Sequence, residues 1–142
     1  MSEILDKIGK SEELVIELQK LLTSCPAISP ESGGVGEMDK FEKLKTYLSD
    51  WGFEQTDEYF ADDPRVPSGK RPSLVCTVKG TDTSKSLWII SHLDVVPPGD
   101  ETLWNTPPFT ATVKGDKIYG RGVEDNQQRL VSSLVAVRHL ID

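Results

Sequence analysis

His92, Asp94 and Asp125 are the residues whose types and spacing could do chemistry. His92 and Asp94 are two apart, so on extended backbone both side chains leave the same face, while Leu93 points the other way, into a core. They follow a short apolar run, Leu87-Trp88-Ile89-Ile90, that reads as a fully buried strand, and Pro97-Pro98-Gly99 stops it. An imidazole and a carboxylate at the C-terminal edge of such a strand is a common way for an α/β sheet to present chemistry. Two solvated polar residues at a strand end is the plain alternative. Asp125 comes after the tight-turning Gly120-Arg121-Gly122 and just before a helical pattern, where it suits either a helix N-cap or a functional carboxylate.

The elements that must position these residues are legible from periodicity. Leu14, Val15, Leu18, Leu21 and Leu22 share one helical face, which predicts a helix over 11–23 ended by Pro26. Residues 1–10 are polar and read as a frayed turn or two ahead of it. Phe41, Leu44, Tyr47 and Leu48 predict a second helix over 37–51, with Gly52 as its stop. Leu130, Val131, Leu134, Val137 and Ile141 predict a third over 127–141. His139 lies on that helix away from the apolar stripe and reads as solvated. Strands are expected near 53–60, 73–79, 86–91, 109–114 and 117–120, the last two as a hairpin turning at Gly115-Asp116. The fold class is therefore α/β, with helices packed on a mixed β-sheet. The glycines of loop 23–36 have no strand before them and no Lys-Ser/Thr after them, so they do not make a phosphate loop.

Composition excludes several function classes. The 142 residues fit one domain. A net charge of −7 with no basic patch argues against nucleic acid as a partner. No apolar run approaches the roughly 18 residues of a membrane span, and charge near the start argues against a secretory leader. The two cysteines, Cys25 and Cys76, lack metal-ligand spacing and read as small buried thiols. The expected compartment is the cytoplasm.

Taken in order, three stretches carry a resemblance. They are Ser91-His92-Leu93-Asp94-Val95-Val96-Pro97, Trp104-Asn105-Thr106-Pro107-Pro108-Phe109, and Ile118-Tyr119-Gly120-Arg121-Gly122-Val123-Glu124-Asp125. Together with the early Gly-Gly-Val-Gly-Glu loop, the chain resembles the acetylornithine deacetylase / succinyl-diaminopimelate desuccinylase family. These are co-catalytic zinc deacylases and exopeptidases that include aminoacylases, dipeptidases and carboxypeptidase G-like enzymes. The resemblance implies a zinc-exopeptidase-like fold and two Zn²⁺ per complete site, with Co²⁺ as a possible substitute. It implies His92 as a ligand of one zinc and Asp125 as the carboxylate bridging both, with a cis bond between Asp125 and Asn126. It implies Asp94 as the carboxylate that orients His92, in keeping with the general need of a metal-bound imidazole for a partner on its other nitrogen. The implied reaction is hydrolysis of an amide bond in an N-acyl amino acid or a small peptide.

One departure is local: where the family often continues Asp-x-Lys-Gly-Gly, this chain has Asp125-Asn126-Gln127-Gln128-Arg129. Another is an absence. The family's Glu-Glu pair, its last carboxylate and histidine ligands and its lid or dimerisation domain have no counterpart within residues 1–142. These residues are thus expected to be the N-terminal part of a catalytic domain, silent by themselves and self-associating as a homo-oligomer through an open sheet edge. A non-catalytic α/β binding or assembly module is the alternative. A phosphoesterase site needs more histidines than the two in the sequence.

Overall fold

The structure, a computed structural model, describes residues 2–141. Met1 and Asp142, the ends of the expected domain, lie outside the described residues. The order is α1 (Ser2–Ile8), α2 (Glu12–Thr23), α3 (Met38–Leu48), β1 (Gln55–Asp62), β2 (Lys70–Thr77), β3 (Thr112–Lys114), β4 (Lys117–Tyr119) and α4 (Gln127–Ile141), with single 3-10 turns at Pro30–Ser32 and Glu101–Leu103.

The core is made by the three expected amphipathic helices. Leu18 and Leu22 from α2, Leu44 and Leu48 from α3, Trp51, and Val131 and Val135 from α4 form one buried cluster. Leu74 and Cys76 of β2, together with Leu93, pack against it. Burial raises the Cys76 thiol above its ordinary value, and both cysteines are free. Strands β1 and β2 form an antiparallel hairpin in which Gln55 pairs with Thr77 and Asp62 with Lys70. Strands β3 and β4 form a second, shorter one, with Thr112 opposite Tyr119. The α/β class therefore holds, with its strands arranged as two separate antiparallel ladders.

Ion pairs fix the loop after α2 to the first hairpin. Arg71 donates from Nε to Glu37 Oε2 at 2.6 Å and from its terminal nitrogen to Glu37 Oε1. Arg65 and Arg71 both reach the buried Asp63, and the hydrogen bonds from Arg65 hold its carboxyl well below the usual carboxylate range.

Three expectations are corrected. First, the run 86–91 forms no ladder. It has no regular secondary structure, and Leu87 and Ile90 are 88% and 83% exposed. A buried strand needs neighbours on its edges and a layer over its faces, and among the described residues β1 and β2 pair only with each other. Second, residues 2–8 form a regular helix rather than a frayed turn. Third, His139 is half-buried rather than solvated. Ser11 Oγ donates its hydrogen to the Lys7 carbonyl at 3.0 Å. Its lone pairs then accept from His139 Nε2 at 2.7 Å, which ties the α1–α2 junction to α4.

Candidate metal centre

Two elements converge on the site. The His92 arm follows the unpaired run 86–91 and is held in place by one parallel bridge between Ile28 and Val95. Its bond runs from the Val95 N–H to the Ala27 carbonyl at 2.9 Å. Gly34 makes that bridge possible, because a Cβ there would stand 2.0 Å from the Ile28 carbonyl oxygen. The Asp125 arm is the turn from Gly120 into α4. At Gly122 the backbone has φ +86°, and a Cβ would meet Val95 Cγ1 at 2.6 Å and Gln127 Oε1 at 2.8 Å. Only glycine allows the turn to close against both neighbours. The arms are joined directly: Asn126 Nδ2 donates to Ser91 Oγ at 2.9 Å.

The three residues singled out by type and spacing come together. His92 Nε2 and Asp125 Oδ1 are 3.3 Å apart. On the other side of the ring, His92 Nδ1 is 3.1 Å from Asp94 Oδ1 and 3.1 Å from the Asp94 carbonyl oxygen. With Nδ1–H donated to Asp94, Nε2 presents its lone pair toward Asp125. The bond between Asp125 and Asn126 is cis. A cleft of about 320 Å³ opens over His92, Asp94, Arg121, Glu124 and Asp125, and the Asp125 side chain is 88% exposed to it.

The donor set suits a small divalent ion at one edge of the cleft. Two ligands bonded at roughly 2.0–2.1 Å to a tetrahedral ion stand about 3.3–3.4 Å apart, which is the separation of Nε2 and Oδ1. An imidazole fixed from behind by a carboxylate is the usual second half of such a ligand. Among the described residues, no group of three or more His, Cys, Asp or Glu side chains is arranged to hold an ion.

Sequence reasoning gave no role to Arg121, Glu124 or the polar residues beneath the site. Arg121 lies over the Trp104 ring, 5.1 Å from guanidinium carbon to centroid. Both side chains donate to the Pro98 carbonyl, Trp104 Nε1 at 3.0 Å and the Arg121 terminal nitrogen at 3.4 Å, so the loop after Pro97 is clamped to the Gly120–Gly122 turn. The motif text contained both residues, and an arginine between two glycines opposite a loop tryptophan was the available signal. Beneath the site, Gln19, Thr23, Lys40 and Gln127 are buried. Nothing in helical periodicity marks them, because each is polar.

Comparison with known proteins bears out the resemblance. Residues 88–142 match the sequence model of peptidase family M20/M25/M40. The chain is similar to an uncharacterized metallohydrolase of Methanocaldococcus jannaschii, at 39% identity over 92% of this chain and 32% of that protein. It is similar to a succinyl-diaminopimelate desuccinylase of Novosphingobium aromaticivorans, at 31% identity over 88% of this chain and 31% of that one. Among solved structures, the dipeptidase Dug1p of Saccharomyces cerevisiae superposes on 98% of this chain with a TM-score of 0.80, at 24% identity and over 30% of its own length. That likeness establishes the fold. The chain spans about a third of the length of these relatives. No helix among the described residues is long and apolar enough to cross a membrane.

Proposed function

We propose that the protein to which this chain contributes hydrolyses an amide bond in an N-acyl amino acid or a small peptide at a two-zinc centre. His92 is a ligand of one zinc, Asp125 bridges the pair, and Asp94 orients His92. The observation that carries this is the 3.3 Å approach of His92 Nε2 to Asp125 Oδ1 on a common cleft, with Asp94 on the far ring nitrogen. A metallohydrolase and a desuccinylase among the relatives support a metal-dependent amide hydrolysis. When bound, the ions supply Lewis acidity and a water that is nucleophilic at neutral pH. The chain's own part is positional. Asp94 keeps the imidazole in the tautomer that leaves the Nε2 lone pair for an ion, the Asp125 carboxylate would hold the ions beside it, and the Arg121–Trp104 clamp holds the cleft wall.

Since no group of three or more His, Cys, Asp or Glu side chains among the described residues is arranged to hold an ion, the 142-residue chain is, on this reading, silent on its own. Assays with Zn²⁺ or Co²⁺ on N-acetyl and N-succinyl amino acids and on dipeptides are expected to read as buffer, and zinc-dependent turnover would contradict this. In a longer, active form, Asp94→Ala is expected to lower activity more than zinc content. Equal loss of both would make Asp94 a direct ligand. Two free cysteines are in keeping with a reducing cytoplasm. Homo-oligomerisation is the partner reading that the exposed run 87–90 supports, since its backbone groups and apolar side chains invite pairing with another chain.

A further inference from the structure

Lys40 is 1% exposed and among the largest fully buried side chains of the molecule. A buried ammonium is costly unless it is hydrogen-bonded or paired. The Lys40 Nζ donates to Gln127 Oε1 at 3.3 Å. The Gln127 carboxamide is used on its other side as well: its Nε2 donates to Gln19 Oε1 at 3.1 Å and to Thr23 Oγ1 at 2.9 Å. Gln19 Nε2 in turn donates to the Val123 carbonyl at 3.2 Å, and the Gln127 N–H donates to the Gly122 carbonyl at 3.0 Å. A chain of hydrogen bonds thus runs from α3, through α4 and α2, into the turn that carries Asp125. Gln127 Oε1, which accepts from Lys40, is also the atom that a Cβ at Gly122 would strike. The carboxamide is therefore a wall of that turn.

We propose that Lys40 is a positioning residue of the candidate metal centre: through Gln127 it fixes the Gly122–Asp125 turn and so the distance between Asp125 and His92. The assignment rests on the metal-centre reading above. Lys40 is hydrogen-bonded to the turn through the carboxamide and acts on Asp94 by charge alone. Without the ammonium, Gln127 Oε1 is a buried acceptor lacking a donor, the carboxamide turns over among its partners, and the turn loses its wall. Simple charge repulsion makes the opposite demand, because deleting a nearby cation should tighten metal binding.

The sequence contains two histidines, His92 and His139, so zinc titration can be followed at the His92 imidazole by ¹H–¹⁵N spectra with His139 as an internal reference. Lys40→Met is expected to weaken zinc binding about tenfold while leaving the thermal midpoint at or above that of the parent chain. Lys40→Arg, which keeps a donor, should recover most of the loss. Gln127→Leu should weaken binding equally, and the double variant should be no weaker than either single one, since both act through one contact. Unchanged or tighter binding in folded Lys40→Met overturns the proposal, as do losses that add in the double variant. If Lys40→Met does not fold, Gln127→Leu decides alone: unchanged zinc affinity overturns, and tenfold loss supports. A parent chain that takes up no zinc at His92 overturns the metal-centre reading together with this one, whereas a parent that binds and variants that bind alike overturn only the role of Lys40.

Discussion

Two apolar stretches of similar strength have opposite fates. Leu18, Leu22 and Val131 on the facing helices are at most 1% exposed, whereas Leu87 and Ile90 in the unpaired run stand 88% and 83% exposed. The difference lies in partners. A helix satisfies its own backbone hydrogen bonds and needs only a second apolar face, which α2, α3 and α4 give one another. A strand cannot satisfy its backbone alone, and among the described residues none lies alongside 86–91 to do so. The site stands at the meeting of these regions: Asp125 opens a helix rooted in the packed side, and His92 ends the unpaired run.

The contrast can be broken or sharpened by substitution. The largest effect is expected in the packed side. Phe41→Ala deletes a ring that is 0% exposed and should cost about 3–5 kcal/mol, read by urea denaturation; a loss below about 1 kcal/mol would mean that this core is not the stabilising one. Next comes pH. Burial pushes Lys40 down to about 8 from 10.5, with Cys25, Asp94 and Glu37 acting the other way. A lysine whose folded pKa is depressed leaves the unfolded chain holding more protons between those values, so stability should rise with pH through that window. The rise is on the order of 3 kcal/mol and should be absent in Lys40→Met. Tyr47 works against it at higher pH. Burial, aided by Glu17, raises that phenol to about 12 from 10, so its contribution falls away as pH climbs from 10 to 12. Gly122→Ala should cost about 1–3 kcal/mol, since it combines a positive φ with two close contacts, and should weaken zinc binding as well. The smallest effect belongs to the unpaired run. Leu87→Ser should change stability by less than about 0.5 kcal/mol while lowering the associated fraction in light scattering; a large destabilisation would show that the run is already packed.

Much of this organisation was legible in the residues. The three helices appeared within a few positions of where their apolar faces put them, because helical periodicity is a local property. The hairpin at Gly115-Asp116 was legible from its turn residues, whereas the pairing of β1 with β2 was not, since the two segments read only as separate strands. Asp125 before the pattern starting at Gln127 placed a carboxylate at a helix entrance. The strand over 86–91 was misjudged because its composition records a demand for burial, and the neighbour that meets the demand is not written into the run itself. His139 was misjudged because an amphipathic projection knows nothing of α1, whose junction with α2 supplies Ser11. The polar chain from Lys40 through Gln127 to Gln19 was invisible: each member looks solvent-facing on its own helix, and only the packing of α2, α3 and α4 brings the three indoors.

The most direct measurement is zinc titration of the ¹⁵N-labelled chain, watched at its two imidazoles. His92 should shift in a saturable manner, through Nε2 rather than Nδ1, and Asp125→Asn should weaken that response while His139 stays fixed. A response at His139, no response at His92, or an Asp125→Asn variant that binds as tightly as the parent would contradict a shared metal centre at His92 and Asp125.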